Sequence, residues 1–373
     1  MNMRVEDFVE VLDSDFYTGV PDSLLKALGN YLINKYGIDP RHHVLAANEG
    51  NCAALAAGYH LATGKIPVVY MQNSGEGNIV NPAASLLNDK VYAIPMIFVV
   101  GWRGEPGVHD EPQHIYQGEI TQKLLEDLDI ANYVIDKNTS VDELKKIMDE
   151  YREILASGKD VAFVVRKDAL TYDTKVEYMN DYKMSREEII RHIVKYTGED
   201  PIICTTGKAS RELFEIREQN GQPHRFDFLT VGSMGHASSI GLGVAINKPE
   251  QKVWCVDGDG AVLMHMGAMP VIADCQPNNF VHIVINNGSY ETVGGQPTVM
   301  NGLDISQIAA ACGYPVTTRV EDFDELDAAL ALACNTDELM LIEIMSSIGS
   351  RDDLGRPTTT AIENKNAFMK YIE

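Results

Sequence analysis

Short apolar runs alternate with helical patterns along the whole chain, and nearly all of these runs end in a turn that contains Gly or Asn. They lie at 67–75, 95–104, 161–167, 201–207, 252–260, 280–288 and 339–347. Runs that are apolar along their whole length suit parallel strands that helices cover on both faces. The pattern therefore predicts an α/β fold of doubly wound parallel sheets, in which ligands bind at the carboxyl ends of the strands.

The chain length of 373 residues favours two domains, because one domain usually takes roughly 150 residues. The polar segment 173–183 has neither helical nor strand periodicity, and Ser185 and Glu188 form a capping-box pattern just after it. We therefore predict a first domain over 1–172, a linker over 173–183 and a second domain over 184–373.

The composition argues against several classes of protein. With 45% hydrophobic and 23% charged residues the chain is typical of a globular protein, and its net charge of −23 disfavours nucleic acid as a partner. No apolar run approaches the roughly 18 residues of a membrane-spanning helix, and the acidic N-terminus lacks the features of a signal peptide. The six cysteines form no CxxC pair and lie mostly in apolar surroundings, which is typical of reduced core thiols. We expect a cytoplasmic protein without a membrane partner.

Two strand ends in the second half carry hard oxygen ligands. Asp259 lies between Gly258 and Gly260 after one apolar run, and Asn287 follows the next run. A carboxylate and an amide oxygen at neighbouring strand ends suit a Mg²⁺ ion that also holds a diphosphate, and the glycines let the backbone approach the phosphates. Asp-Gly alone is a common turn, so the prediction depends on the pairing of Asp259 with Asn287.

This pair of motifs resembles that of the thiamine diphosphate enzymes. The resemblance implies that Asp259 and Asn287 bind Mg²⁺ through their side chains and Ser289 through its backbone carbonyl. The Gly232 carbonyl would accept a hydrogen bond from the exocyclic amine of the cofactor, and Met234 would hold the cofactor bent. Thiamine diphosphate and Mg²⁺ are therefore the implied cofactors, bound by two domains of the thiamine diphosphate-binding fold.

The first half has one carboxylate at the start of a helix of small residues, Glu49 in the segment 45–65. A Glu in a first helical turn is usually solvated and favoured by the helix dipole, but the apolar surroundings argue against solvent here. The segment resembles the pyrimidine-binding domain of the same enzymes, which implies that Glu49 binds the aminopyrimidine ring and is catalytic. A carboxyl group removed from water holds its proton more tightly, which suits this role.

Further segments resemble the phosphonopyruvate decarboxylases, a two-domain subgroup of the family without the central domain of larger relatives. These segments are 101–107, 110–114, 205–215, 286–298 and 351–357. The resemblance implies decarboxylation of 3-phosphonopyruvate to phosphonoacetaldehyde and CO₂. It also implies that Asp22 and His114 are active-site groups that assist proton transfer, although His114 could equally be a structural residue at a helix start.

Three cations are candidates for binding the phosphonate: Arg103, Lys208 and Arg351. In a chain of net charge −23 an anionic substrate depends on a few well-placed cations, and the first two follow apolar strands. Each could instead be a solvated surface charge. Larger decarboxylases have a catalytic glutamate at the position of Val293, and Glu291 is offset from it, so neither is assigned a catalytic role.

The sequence leaves three alternatives open. A sulfopyruvate decarboxylase shares the two-domain plan, and a carboligase shares the cofactor chemistry. A non-enzymatic nucleotide-binding protein is more remote, because no GxGxxG motif follows a first strand. In the thiamine diphosphate enzymes the pyrimidine domain of one subunit faces the diphosphate domain of another, which implies a homodimer or larger assembly with active sites at the subunit interface.

Overall fold

The chain divides into two compact units in a computed structural model that describes residues 3–373. The first unit ends at Glu177, and the second runs from Tyr178 to Glu373. This division lies within the segment 173–183, and the domain limits at 172 and 184 stay predictions. None of the helices in residues 3–373 has the length and apolar character that a bilayer-spanning helix needs.

The first unit alternates strands and helices. Its strands are β1 (Met3–Arg4), β2 (Tyr17–Gly19), β3 (His43–Leu45), β4 (Val68–Gln72), β5 (Ile97–Gly101), β6 (Ala131–Ile135), β7 (Val161–Val165) and β8 (Leu170–Thr171). Its helices are α1 (Val5–Leu12), α2 (Lys26–Tyr36), α3 (Glu49–Thr63), α4 (Glu76–Pro82), α5 (Pro112–Asp127) and α6 (Val141–Ala156). A π-helical turn, Ala83–Leu87, continues α4.

Six parallel strands of this unit form one sheet in the order β3-β2-β4-β5-β7-β6, and β1 pairs separately with β8. The strands β4, β5 and β7 are buried almost throughout, as expected when helices cover both faces. Because β2 lies between β3 and β4, the chain reverses its direction across the sheet at this point. Such a switch point opens a crevice at the carboxyl ends of the strands.

The second unit has the same alternation. Its strands are β9 (Ile202–Cys204), β10 (Asp227–Leu229), β11 (Val253–Gly258), β12 (Phe280–Asn286), β13 (Val316–Val320) and β14 (Met340–Met345). Its helices are α7 (Arg186–Thr197), α8 (Lys208–Gln219), α9 (Ala237–Asn247), α10 (Asp259–Met264), α11 (Ala268–Cys275), α12 (Ile305–Cys312), α13 (Phe323–Asn335) and α14 (Ala361–Ile372). The capping box of Ser185 and Glu188 is present at the start of α7.

The second sheet is also parallel, in the order β10-β9-β11-β12-β14-β13. When the strands of each sheet are numbered by chain order, both sheets follow 2-1-3-4-6-5, so each unit has its switch point beside its first strand. The predicted fold class, two doubly wound parallel-sheet domains, is confirmed.

The prediction that the cysteines are core thiols is only partly right. Cys52, Cys204 and Cys255 are buried, whereas Cys275 and Cys334 are exposed. The two exposed thiols lie in the last turns of α11 and α13, where the outer face of each helix meets solvent. All of the cysteines in the described residues are free thiols.

Helix α4 begins with a carboxyl group that has no hydrogen-bond partner in the described residues. Glu76 is fully buried, and neither of its carboxylate oxygens is hydrogen-bonded. Burial raises the pKa of Glu76 to about 9, because the charged form would lose its hydration. The side chain therefore keeps its proton at neutral pH.

This burial predicts a pH-dependent stability. Above the ordinary pKa of 4.5 the unfolded chain releases the Glu76 proton, while the folded chain keeps it up to about pH 9, so stability falls as pH rises through this window. Glu76→Gln, which resembles the protonated acid and does not titrate, should match the wild type near pH 5. It should then become more stable than the wild type by up to about 1.4 kcal/mol per pH unit, measured by urea unfolding.

The control is Glu126→Gln, on the exposed face of α5. It should leave the pH profile of stability unchanged. Parallel profiles for the wild type and Glu76→Gln between pH 5 and pH 9 would contradict the prediction.

Candidate active site

Polar side chains follow four neighbouring strands of the first unit. Asp22 comes shortly after β2, Glu49 begins the helix after β3, Gln72 ends β4, and Arg103 follows β5. Because these strands are neighbours in a parallel sheet, their carboxyl ends meet at one edge. The switch point of the first unit therefore has two of the predicted catalytic acids and one of the predicted substrate-binding cations at its edge.

Glu49 is the first residue of α3 and is only 4% exposed. Asn78 donates a hydrogen bond from Nδ2 to Oε2 of this carboxyl group at 2.7 Å. A Cβ atom on Gly75 would come within 2.4 Å of the Glu49 Oε1 atom, so only glycine leaves room for the carboxyl group there. Burial raises the pKa of Glu49, although the Asn78 hydrogen bond opposes this effect. The site thus favours a protonated carboxyl group.

Asp22 is a second buried carboxyl group at this edge, 2% exposed. Its Oδ1 atom accepts a hydrogen bond from Gln72 Nε2 at 2.6 Å, and its Oδ2 atom accepts from the backbone N–H groups of Leu24 and Leu25. Burial raises the pKa of Asp22, while the Gln72 hydrogen bond and the Arg103 charge act in the opposite direction. Asp22 therefore has a fixed orientation and a raised proton affinity.

Arg103 is held by a carboxylate in its own loop. Its Nε and Nη2 atoms donate to Asp110 at 2.8 and 2.5 Å, and its Nη1 atom donates to Ser23 Oγ at 3.1 Å. Asp110 also accepts from the backbone N–H groups of Gly104 and Glu111. Burial acts to raise the pKa of Asp110, but these hydrogen bonds outweigh it and hold the pKa well below its usual range. Asp110 thus fixes the loop and one edge of the guanidinium group.

His114 is the third residue of α5 and is partly buried. Burial, and then the positive charge of Arg103, lower the pKa of His114. His114 therefore lies within range of the Arg103 charge, and its imidazole is neutral at physiological pH.

The predicted metal ligands of the second unit lie at the ends of neighbouring strands. Asp259, which follows β11, is 4% exposed and accepts a hydrogen bond from Thr298 Oγ1 at 2.6 Å. The backbone N–H of Thr298 donates to the Gly288 carbonyl at 2.9 Å. Thr298 therefore connects the Asp259 carboxyl group to the loop after β12. The Asn287 Oδ1 atom in that loop accepts from the Ser289 N–H at 3.0 Å. Burial raises the pKa of Asp259 to about 6.

The turn predicted to contact the cofactor is tight. Ser233 and Gly235 have φ angles of 55° and 86°, so the chain turns sharply on both sides of Met234. A Cβ atom on Gly260 would lie 3.4 Å from Met234 Cε and 2.9 Å from the Tyr290 ring. Met234 and Tyr290 therefore both approach the start of α10, next to Asp259.

The two predicted substrate-binding cations of the second unit are paired with carboxylates. Lys208 Nζ lies 2.7 Å from Glu291 Oε1. Arg351 is bound to Glu187 at 2.6 Å and to Glu215. The structure thus places Lys208 and Arg351 in separate ion pairs and brings neither to the ends of β11 and β12 as a free cation.

The sequence analysis missed several residues that support the site. They are Gln72, Asn78, Asp110, Asn180, Arg186 and Thr298. Asp110 contacts Arg103 within one loop, whereas the other five side chains form hydrogen bonds with partners far away in the sequence, which no local pattern reveals. The polar run after β4 was the one available signal, since an apolar strand that ends in Gln-Asn-Ser-Gly places amide side chains at the carboxyl edge.

Comparisons with known proteins match both units. Residues 5–125 match the family "Thiamine pyrophosphate enzyme, N-terminal TPP binding domain". Residues 205–344 match "Thiamine pyrophosphate enzyme, C-terminal TPP binding domain".

Three similar proteins illustrate the range of relatives. A phosphonopyruvate decarboxylase of Streptomyces viridochromogenes is 35% identical over 374 residues, which cover 95% of this chain and 90% of that protein. A phosphonopyruvate decarboxylase of Streptomyces hygroscopicus is 33% identical, covering 95% and 89%. A sulfopyruvate decarboxylase of Methanosarcina acetivorans is 27% identical, covering 81% of each chain.

The four hydrogen bonds to Asp110 predict its effect on the loop. Asp110→Asn removes the charge and one acceptor oxygen, so the free energy of local opening should fall by about 1.4 kcal/mol. The Gly104 and Glu111 amides should therefore exchange with solvent roughly 10-fold faster. Hydrogen exchange followed by mass spectrometry measures this. The control, Asp149→Asn in the exposed ion pair with Arg152, should change neither amide, and unchanged exchange in Asp110→Asn would refute the prediction.

Proposed function

The chain belongs to the thiamine pyrophosphate enzymes, and from this premise we propose that it decarboxylates 3-phosphonopyruvate to phosphonoacetaldehyde and CO₂ with thiamine diphosphate and Mg²⁺. One observation carries the proposal. A single chain contains both a buried carboxyl group at a switch point, Glu49, and oxygen donors at two strand ends, Asp259 and Asn287. The near full-length similarity to two phosphonopyruvate decarboxylases supports the choice of substrate.

The residues of the second unit fit a Mg²⁺ ion and a diphosphate. Asp259, Asn287 and the Ser289 carbonyl would supply only oxygen ligands, which Mg²⁺ prefers. A buried carboxylate whose pKa is raised to about 6 is stabilised in its charged form by a divalent cation. Gly258 and Gly260 would let the backbone N–H groups at the start of α10 approach the phosphates.

The residues of the first unit fit the pyrimidine ring of the cofactor. Glu49 would hold a proton at its carboxyl group and share it with a ring nitrogen, since burial already favours the protonated form. In the second unit the Gly232 carbonyl would accept a hydrogen bond from the exocyclic amine. Met234 would pack beneath the cofactor, because its side chain already lies over the start of α10.

Thiamine diphosphate supplies an electron sink for the carbanion that loss of CO₂ leaves, which no side chain can provide. The protein's task is then to orient the substrate, exclude water and move protons. We assign proton transfer to Asp22, which follows β2, and to His114, which lies in the first turn of α5. Asp22 has a raised proton affinity, and the neutral imidazole of His114 can accept or relay a proton.

Arg103 is the cation that we favour for binding the phosphonate. Asp110 accepts from its Nε and Nη2 atoms, while Nη1 donates to Ser23 Oγ, the residue next to Asp22. A guanidinium fork suits an oxyanion. Lys208 and Arg351 remain candidates, but each would have to leave a carboxylate first.

Sulfopyruvate is the second candidate substrate, favoured by the similarity to the Methanosarcina acetivorans enzyme. A sulfonate has one negative charge, whereas a phosphonate has close to two near neutral pH. Both would need the same cofactor residues, so the two substrates differ only in what the anion site requires.

We further propose a homodimer or larger assembly with active sites at the subunit interface. Large apolar side chains that α3 and α4 leave exposed, Leu55, Leu61 and Val80, support a buried contact there. The free thiols fit the reducing cytoplasm.

The function is tested by measuring CO₂ release from phosphonopyruvate, sulfopyruvate and pyruvate, with and without thiamine diphosphate, in the presence of Mg²⁺. We expect cofactor-dependent release with the highest kcat/KM for phosphonopyruvate. A preference for another acid would overturn the substrate and leave the cofactor residues in place. No release from any acid would overturn the proposed chemistry.

Glu49→Gln should lower kcat by about 10²- to 10⁴-fold, because the amide cannot share a proton with the ring. Titration calorimetry should still detect thiamine diphosphate binding. The control Glu10→Gln, exposed on α1, should behave like the wild type. An unchanged kcat in Glu49→Gln would show that the carboxyl group has no catalytic role.

Arg103→Met should raise KM for phosphonopyruvate by roughly 10- to 100-fold and leave KM for pyruvate nearly unchanged, since only the first substrate presents a second anion. The control is Arg152→Met, an exposed residue of α6. An equal change in KM for both substrates would mean that Arg103 does not bind the phosphonate.

If subunits share the active site as proposed, two inactive variants, Glu49→Gln and Asp259→Asn, should complement each other. Co-expression with two different tags yields hetero-oligomers, in which one interface combines the intact Glu49 of one subunit with the intact Asp259 of the other. Such hetero-oligomers should regain a substantial fraction of wild-type activity. Activity as low as that of either parent would contradict a site shared between subunits.

A further inference from the structure

Glu291 is the most heavily hydrogen-bonded carboxylate near the predicted metal ligands. It accepts hydrogen bonds from Arg186 Nη1 at 3.0 Å, Lys208 Nζ at 2.7 Å, Asn287 Nδ2 at 3.1 Å and the Gly349 N–H at 3.3 Å. Its side chain is only 9% exposed. These donors surround both carboxylate oxygens, so the orientation of Glu291 is fixed.

The charges around Glu291 alternate. Arg186 also donates from Nε and Nη2 to Glu212, at 2.7 and 2.8 Å, and both of those side chains are at least nine-tenths buried. The series Glu212, Arg186, Glu291, Lys208 thus contains two negative and two positive groups in contact. Buried charges are tolerated when they are paired in this way, and removal of one member leaves its neighbours without compensation.

This pairing makes Glu291 unsuited to accept a proton. Its Oε1 atom accepts from Lys208, and its Oε2 atom accepts from Arg186, Asn287 and Gly349. Because donors occupy both oxygens, the carboxylate is suited to fix a neighbouring group.

The neighbouring group is Asn287, a proposed metal ligand. Its Nδ2 atom donates to Glu291, and its Oδ1 atom accepts from the Ser289 N–H at 3.0 Å. Rotating the amide by 180° would place Oδ1 against the Glu291 carboxylate and Nδ2 against an N–H group, so both contacts would become repulsive. The Asn287 backbone is held as well, because Asn180 Nδ2 donates to its carbonyl at 3.0 Å.

We propose that Glu291 is a positioning residue that presents the Asn287 amide oxygen to Mg²⁺, and that Lys208 acts by holding Glu291 instead of binding the substrate. This inference rests on the proposed Mg²⁺ site. Partners that orient metal ligands typically change metal affinity by about 10- to 100-fold when they are removed. Arg186 completes the set by linking Glu291 to Glu212.

The test uses Mn²⁺ as a spectroscopic substitute for Mg²⁺, with the full-length enzyme and excess thiamine diphosphate. Electron paramagnetic resonance measures the free Mn²⁺ and therefore the affinity, independently of turnover. The variants are Glu291→Gln and Lys208→Met, with Lys208→Arg as the conservative variant and Glu338→Gln, exposed and before β14, as the control. Circular dichroism verifies that each variant is folded.

We expect Glu291→Gln and Lys208→Met to weaken Mn²⁺ binding by about 10- to 100-fold. Lys208→Arg should bind nearly as the wild type does, and excess Mg²⁺ should restore most of the turnover lost in Lys208→Met. Lys208 is about one-quarter exposed, so we expect Lys208→Met to fold even if Glu291→Gln does not. In that case the Mn²⁺ affinity of Lys208→Met alone tests the inference.

Unchanged Mn²⁺ affinity in a folded Lys208→Met variant, combined with a raised KM for phosphonopyruvate, would overturn the inference and return Lys208 to the substrate site. The proposed function fails by a different result. In that case the wild type itself would bind no Mn²⁺ with thiamine diphosphate and release no CO₂.

Discussion

The structure depends on one constraint, that all strands of a parallel sheet end at the same edge. In both units the strand order is 2-1-3-4-6-5, so the switch point lies beside the first strand and the chain leaves it through polar loops. Glu49 and Asp22 lie at this edge of the first unit, and Asp259 and Asn287 lie at that of the second. The same backbone arrangement therefore presents a different set of polar side chains at the strand ends of each unit.

Burial sets the proton affinity of the carboxyl groups at these strand ends. Three proposed functional carboxyl groups, Asp22, Glu49 and Asp259, have raised pKa values because they are removed from water. Each is nevertheless oriented by a neutral hydrogen-bond donor, namely Gln72, Asn78 and Thr298 respectively. A neutral donor orients a carboxyl group and leaves its affinity for a proton or a cation in place. By contrast, the negative charges of Asp110 and Glu291 are balanced by ion pairs with Arg103, Arg186 and Lys208.

The fold class and the positions of the strand ends were predictable, because apolar strands and Gly- or Asn-containing turns are local signals. The repeated strand order was not, since it depends on which distant strands pair. The carboxylate partners of the cations were also hidden in the sequence. Lys208 meets Glu291 and Arg351 meets Glu187 only after the chain has folded, and no pattern in a single sequence links residues so far apart. Three candidate cations therefore looked equally available for a substrate.

We propose above all that Asp259 and Asn287 hold a metal ion that in turn holds the cofactor diphosphate. Titration calorimetry of thiamine diphosphate into the wild type and Asp259→Asn, with Mg²⁺ or with a chelator, tests it most directly. We expect tight binding only in the wild type with Mg²⁺, and equally weak binding when either the carboxylate or the metal is removed. Binding that is insensitive to both the chelator and Asp259→Asn would contradict it.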